Sequence, residues 1–220
     1  PSEMAQGRLF AEPGDAPDQV HFVLSGAISL VTVLRDGDCV EAGMVGREGG
    51  LSAHGVFSGL GAFTRAICQV AGTVLTLDGV RFRAIAEAHP GVRIAVDRYV
   101  EGAANQAQQA IGCRAWHKLE HRFCRWLLTA CDHAGQDRIE LTQEFMAHML
   151  GVQRQTVSAI ASTYKAQGLI RYTRGQISVR DRAGLEACTC ECLGVIRERW
   201  DELWGTEMPP LHTANADEQT

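Results

Sequence analysis

The spacing of apolar residues changes along the chain, and each change predicts a different element. From residue 9 to about residue 78 the pattern is β-like. Val20, Phe22 and Leu24 alternate, then Ile28 and Leu30, as half-buried strands require, with Gly26 separating the two runs. Arg35-Asp36-Gly37-Asp38 reads as a hairpin turn, because Asp-Gly supplies the dihedrals a tight turn demands. Strand-like runs resume at 66–71 and 73–77. Many short strands with glycine-bearing turns predict a jelly-roll or small barrel. The period then lengthens. A short helix is predicted over 80–88, ended by His89-Pro90-Gly91, and a long one over 92–114. The seam of the long helix runs Val92, Val96, Tyr99, Ala103, Gln106, Ala110 and Cys113. Its steps alternate four and three, the spacing of a coiled-coil stripe, which predicts a dimer seam. Another helix is predicted over 116–130, with Leu119, Phe123, Trp126 and Leu127 on one face. Residues 132–138 read as a polar loop, 182–204 as one final helix, and 205–220 as a frayed tail.

The stretch from Thr142 to Arg174 carries the most specific pattern. Two short helices that cross steeply need a small residue where they touch, supplied by Ala147. They also need a turn residue that tolerates positive φ, supplied four positions later by Gly151. Met146, Leu150, Val152, Val157 and Ile160 fall at spacings that face a shared core. Thr142 is placed to cap the first helix, with Glu144 favourable in its first turn. Gly168 ends the second helix. Leu169-Ile170-Arg171-Tyr172 then starts a strand that turns at Arg174-Gly175 and returns as Gln176-Ile177-Ser178-Val179. Helix, glycine turn, helix and hairpin together make a winged helix-turn-helix. A plain helical hairpin that contacts protein is the competing reading.

The net charge of −5 looks wrong for a nucleic-acid binder until it is divided. Residues 114–185 hold eleven Lys and Arg against six Asp and Glu, leaving +5, so the remainder carries −10. A basic C-terminal module on an acidic body fits phosphate binding by one part only. No apolar run approaches the ~20 residues of a membrane span; the nearest, 22–34, is broken by Ser, Gly and Thr. No secretion signal opens the sequence, so a cytoplasmic setting with reduced thiols is expected for its eight cysteines.

A β-rich sensor, a long helix and a C-terminal winged helix-turn-helix, in that order, resemble the CRP/FNR family of bacterial transcription regulators. The resemblance is strongest in L-T-Q-E-F-M-A-H-M-L-G-V-Q-R-Q-T-V and visible in P-G-D, H-F-V-L-S-G-A-I-S-L and M-V-G-R-E-G. It implies an α+β fold with a cyclic-nucleotide-binding-like jelly-roll over 1–90 and a dimerisation helix over 91–115. The winged helix-turn-helix would occupy 116–185, and a C-terminal helix and tail 186–220. It also implies a homodimer on a near-palindromic double-stranded operator, allosteric control from the barrel, and RNA polymerase as a further partner the family admits. The second helix, 153–167, would lie in the major groove and present Gln153, Arg154, Gln155 and Ser158. Arg154 stands where the family commonly reads guanine, and its guanidinium fork suits O6 and N7. Gln155 stands where the family often has Glu and is assigned a neighbouring base, adenine by preference. Ala159 replaces a long basic residue, so a base contact is expected to be absent. Thr142, Gln143, Ser158 and Lys165, with Arg171 and Arg174 in the wing, are candidate phosphate contacts.

Ligand chemistry points the other way. Family members that bind cyclic nucleotides carry Gly-Glu-Leu and, about ten residues later, Arg followed by Ser or Thr. Here the run is Gly49-Gly50-Leu51, the nearby Arg65 is followed by Ala66, and Glu48 and Thr64 fall at the wrong spacing. No cyclic nucleotide is expected, and no effector is identified. No metal site is expected either. Cys188, Cys190 and Cys192 on one continuous helix would put Cys190 on the opposite side from the other two. His117 and His121, with Cys124 next along, lack a second supporting group of ligands. No catalytic constellation is present, so the chain is not read as an enzyme. The competing class is a ligand or redox sensor whose helical hairpin binds protein.

Overall fold

The computed structural model describes residues 1–173 and 175–205. Arg174 and the predicted tail beyond Gly205 lie outside the described residues. The strands β1 (Ser2–Met4), β2 (Leu9–Ala11), β3 (Gln19–Val33), β4 (Cys39–Val45), β5 (Gly50–Leu51) and β6 (Arg65–Asp78) form one antiparallel sheet; the short helix α1 (Gly55–Ser58) precedes β6. The runs on either side of Gly26 belong to the single strand β3, and those on either side of Gly72 to β6. These two long strands pair with irregular register between Val23 and Ile28. Gly26, at φ 84°, sits in that irregular stretch, where a Cβ would lie 2.5 Å from the Val70 carbonyl oxygen. Gly72 answers it across the pair, where a Cβ would lie 2.1 Å from the Ser25 carbonyl oxygen. Both glycines therefore mark close backbone approach at a bulge, not strand ends.

The helices α2 (Gly79–Ala88), α3 (Pro90–Trp116) and α4 (Leu119–Ala134) follow. Then come β7 (Arg138–Glu140), α5 (Gln143–Leu150), α6 (Arg154–Ala166), β8 (Ile170–Thr173), β9 (Gln176–Val179), α7 (Arg182–Ala187) and α8 (Cys192–Trp204). Three boundaries differ from the sequence expectation. First, α4 runs on through Asp132 and His133, polar residues expected in a loop. Both are buried because each has a charged partner. Second, β7 inside the supposed loop pairs with β9, giving a three-stranded sheet in the order β7-β9-β8. Third, the expected final helix is two helices. The Asp181 carboxylate caps α7, and the Cys188 and Thr189 N–H groups bond back to the Leu185 and Glu186 carbonyls to close it. α7 packs on α4 while α8 packs on α3, and one straight helix cannot follow both surfaces.

The predicted dimer seam is also corrected. Val96, Gln106 and Cys113 are buried inside their own chain, and Tyr99 stacks on Trp200 of α8. Gly102 lies against the same indole, so closely that a Cβ would come 2.2 Å from its ring. A three-four stripe marks a face that is covered without saying by which surface. The uncovered face of α3 carries Ile94, Ala104, Gln108, Ile111 and Ala115, with Trp116 87% exposed at its end.

The N-terminal sheet and the C-terminal unit share one core. Ala27, Val31, Met44 and Val70 of the sheet cluster with Phe123, Trp126, Leu127 and Ala130 of α4 and with the buried residues of α5 and α6. Polar groups are threaded through this junction. Trp126 Nε1 donates to Glu41 Oε1 at 2.9 Å; Glu41 Oε2 lies 2.6 Å from Ser29 Oγ, which lies 2.7 Å from Gln69 Oε1. One hydroxyl hydrogen cannot serve both of Ser29's contacts; turning over the Gln69 amide, whose Nε2 is buried without a partner, lets Gln69 donate to Ser29 while Ser29 donates to Glu41. Burial pushes the Glu41 carboxyl up to about 7, against the pull of its donors. Alongside, His133 Nδ1 lies 3.1 Å from Glu48 Oε2, with both side chains fully enclosed. Burial alone would raise Glu48 and lower His133, but mutual attraction and the Gly46 N–H on Glu48 reverse both shifts. Glu48 is held below the usual carboxylate range and His133 above the usual imidazole value.

These shifts predict how stability follows pH. The His133 contribution is complete below its unfolded value of 6.5 and disappears as pH rises through its higher folded value. The Glu48 contribution is complete above 4.5 and disappears as pH falls through its lower folded value. Glu41 runs opposite to Glu48: the folded state holds its proton between 4.5 and about 7, so stability falls across that interval. Urea denaturation in a pH series should therefore show stability declining from mildly acidic to alkaline pH. His133→Ala, which strands a buried carboxylate, should cost about 3–5 kcal/mol near neutrality. Replacing Glu48 and His133 together by apolar residues should cost much less.

Candidate nucleic-acid interface

Local chemistry builds the helix pair as expected. The Thr142 hydroxyl accepts from the Phe145 N–H at 3.1 Å and caps α5. Gly151 ends it at φ 66°, while the Val152 N–H returns to the Ala147 carbonyl. Ala147 is buried at the crossing, and Met146, Leu150, Val157 and Ile160 fill the shared core, with Val152 partly buried beside them. Arg122 of α4 donates to the Leu150 carbonyl at 3.1 Å, satisfying a last-turn acceptor of α5. Tyr172 of β8 donates to the Leu141 carbonyl at 3.0 Å, which holds the hairpin beside the start of α5.

This packing turns the N-terminal end of α6 outward. Gln153, Arg154 and Gln155 are exposed, and Arg154 has no acidic partner among the described residues. The first N–H groups of a helix carry partial positive charge, so this end offers both a dipole and a guanidinium to an anionic surface. Thr142, Gln143, Arg154, Tyr172 and Gly175 line a notch of about 420 Å³ between the two helices and the hairpin; Glu144 borders it as well.

The candidate residues fall into three groups. Thr142, Gln143 and Arg154 meet at the notch, with Gln153 and Gln155 beside it. Ser158 is close but engaged: its Oγ lies 2.6 Å from Gln143 Oε1 and 3.0 Å from the Arg154 carbonyl oxygen. Lys165 is exposed eleven residues along α6 from Arg154, about 16 Å away at the helical rise. Arg171 points to the opposite face of the hairpin from Tyr172, as neighbours on a strand do. There it shares a cross-strand row with Ser178 and Arg138, beside a groove of about 840 Å³ that Arg180 and Gln6 also line. Sequence patterning does not single out Arg138 or Arg180. The stretch that forms β7 looks like loop, and only the register reveals that its Arg138 lies level with Arg171.

Residues 121–188 match the family model described as the Crp-like helix-turn-helix domain. The chain carries a Crp-like helix-turn-helix domain. No curated protein matches the sequence at a significant level. Among solved structures, TTHB099, a CRP-family transcriptional regulator from Thermus thermophilus, is 18% identical with a TM-score of 0.71; the match covers 86% of this chain and 96% of that one. FixK2 from Bradyrhizobium japonicum is 17% identical with a TM-score of 0.69, over 86% and 96% of the two chains. TTHA1359, a CRP/FNR-family regulator also from Thermus thermophilus, is 20% identical with a TM-score of 0.68, over 85% and 96%. The likeness spans both units, so the Crp-like domain here sits on a CRP/FNR-type fold, an antiparallel sheet unit joined through a long helix.

In the sheet unit, a mainly apolar pocket of about 220 Å³ is lined by Phe22, Glu48, Phe82, Val96, Tyr99 and Trp204 among others. Glu48 is engaged by His133 and the Gly46 N–H, and Arg65 by Glu12 at 2.9 Å. The Tyr99 ring packs so tightly on Gly49 that a Cβ there would come within 2.0 Å of it. No helix among the described residues is long and apolar enough to cross a membrane.

The turn of the Crp-like domain is open to a direct test. Gly151→Ala places a side chain at positive φ and 3.0 Å from Val40 Cγ2 of the sheet unit. It should cost about 1–2 kcal/mol, read as a lower urea midpoint by circular dichroism. Gly151→Asn, which tolerates that backbone better, should cost less.

Proposed function

We propose that this protein is a sequence-specific DNA-binding transcription regulator that acts as a homodimer under control from its N-terminal unit. The observation that carries the reading is the outward N-terminal end of α6, with exposed Gln153, Arg154 and Gln155 beside a notch, on a Crp-like domain. Arg154 reads a guanine from the major groove, and Gln155 reads the adjoining base. Gln153 supports their approach, while Thr142 and Gln143 hold phosphate at the start of α5. Ser158 acts through Gln143, fixing its amide. Arg171, with Arg138 and Arg180, and Arg174, a candidate from the sequence, serve the flanking backbone, and Lys165 a more distant phosphate. The working units are 1–90, 91–115, 116–185 and 186–220.

The dimer forms on the uncovered face of α3, along Ala104, Gln108, Ile111 and Ala115, where small residues let two helices approach closely. That pairing sets two α6 helices about one DNA turn apart, ~34 Å, on a near-palindromic operator. Control passes through the shared core. A change in the sheet unit that reaches Glu41 or Glu48 shifts α4 and with it the Crp-like domain. A signal acts only so far as it binds the two arrangements with different affinity.

Titrating salt against duplex binding tests the proposal. Affinity should fall linearly in log–log form, with a slope of about −0.9 for each phosphate neutralised. Sequencing of fragments selected by the purified protein should return two inverted half-sites. Negligible duplex affinity at every salt concentration would sink the DNA reading in favour of a protein-binding hairpin. Within it, Arg154→Ala should cost about 1–3 kcal/mol and relax preference at one base position, whereas Lys165→Ala should weaken all sequences alike.

A further inference from the structure

The break between α7 and α8 has a chemical consequence. On one continuous helix the thiols of Cys188, Cys190 and Cys192 could not converge, and the expectation of no metal site rests on that. With the helix broken, Cys190 lies in the connection and Cys192 opens α8, and both thiols face the last turn of α3. There they meet Cys113 and His117, and the four donor atoms lie within 4.8 Å of one another. Cys113 Sγ is 3.6 Å from Cys190 Sγ, and Cys192 Sγ is 3.4 Å from His117 Nδ1. Cys113, Cys190 and Cys192 form a small buried cluster of their own, apart from the larger cores, and the His117 side chain is 23% exposed.

We propose that these residues form a binding site for a single thiophilic divalent cation, zinc by preference. Three thiolates and one imidazole are a complete tetrahedral set for zinc, the composition of closed structural sites. The spacing fits one ion. Tetrahedral thiolates around zinc at about 2.3 Å stand about 3.8 Å apart, close to the Cys113–Cys190 separation. A four-iron cluster places several bridged atoms between its cysteines and holds them farther apart. The surrounding groups suit ligation too. His117 turns Nδ1 toward Cys192 while its Nε2 lies 3.2 Å from the Glu191 carboxylate, the usual orientation of a zinc-bound imidazole. Gln109 Nε2 donates to Cys192 Sγ at 3.1 Å, a contact that favours a thiolate. All four ligands are held by one chain.

The position gives the ion a role. Cys113 and His117 end α3; His117 is its C-cap, one residue before the N-cap of α4. Cys190 and Cys192 belong to the connection into α8. A bound ion therefore clips the C-terminal segment to the joint where the long helix hands over to the Crp-like domain. Binding of the cation is independent of the DNA reading; only its effect on duplex affinity rests on that reading.

Cobalt reports such a site by its colour. The reduced, metal-free full-length protein should take up one Co²⁺ per chain. It should show the strong visible absorption of tetrahedral cobalt and near-ultraviolet thiolate charge transfer, and zinc should displace both. Cys113→Ser, Cys190→Ser and Cys192→Ser should each lose the full spectrum, while Cys39→Ser keeps it. Gln109→Ala should weaken binding by about 10- to 100-fold. Should the serine variants not fold, alkylation of the wild-type chain decides: zinc should protect Cys113, Cys190 and Cys192 and leave Cys39 reactive. Absence of charge transfer, or a spectrum unchanged in Cys190→Ser, would overturn the site. So would equal alkylation with and without zinc, or iron and sulfide incorporated at more than one iron per chain.

Discussion

Helix α4 has to be buried on both sides at once. Its Phe123, Trp126, Leu127 and Ala130 fill one continuous core with Ala27, Val31 and Met44 of the sheet unit and with Met146, Val157 and Ile160 of the helix pair. No residue of that core can move without uncovering apolar surface at its neighbours, and each fully buried large side chain is worth roughly 1.5–3 kcal/mol. The placement of α6 therefore follows from how α4 sits on the sheet. Gly151 makes the same point at closer range, since the turn of the helix pair leans directly on Val40 of β4.

Polar groups fix the register of this junction where apolar packing alone would let it slide. Apolar contacts are non-directional, whereas the Trp126 N–H must find Glu41 and the Glu48 carboxylate must find His133. Asp132, one residue before His133, receives Arg197 of α8 at 2.8 Å and also pairs with Arg182 of α7. About two turns of α4, from Trp126 to His133, thus hold the sheet and the C-terminal helices in one arrangement with the helix pair. The same wiring resists any alternative arrangement of the junction, because an unsatisfied buried charge is expensive.

The Crp-like domain is legible in the sequence because its constraints are local. Thr142 caps within three residues, Gly151 needs positive φ whatever surrounds it, and the apolar spacing of Met146, Leu150, Val157 and Ile160 can be read off a helical wheel. The missed features are all non-local. Asp132 and His133 look like loop residues until their partners, far away in sequence, are known. β7 is too short to show a period, and Arg138 gains meaning only from a strand partner forty residues on. The stripe on α3 is real, but several of its residues are covered within their own chain. Val96, Gln106 and Cys113 are covered by the sheet and α8, elements that a helical repeat cannot name. The pairing of Ser158 with Gln143 is hidden for the same reason, since both residues look equally free for phosphate.

The broken C-terminal helix shows why such errors propagate. Ala187 to Cys192 contains neither Gly nor Pro, so no strong breaker announces the turn among its weak helix formers Cys and Thr, and on an unbroken helix the cysteines sort onto opposite faces. Continuity fails because α7 is already committed to α4 through Leu185 and the Arg182–Asp132 pair, while Trp200 is committed to Gly102 and Tyr99 on α3. The chain must turn between these two anchors, and the turn falls on Thr189 and Cys190. Once it does, thiols that a helix would separate are brought level with the end of α3. Gly102 is thus as much a determinant of the thiol cluster as the cysteines are. A side chain at Gly102 would push Trp200 outward, tilt α8 off α3, and carry Cys192 away from Cys113.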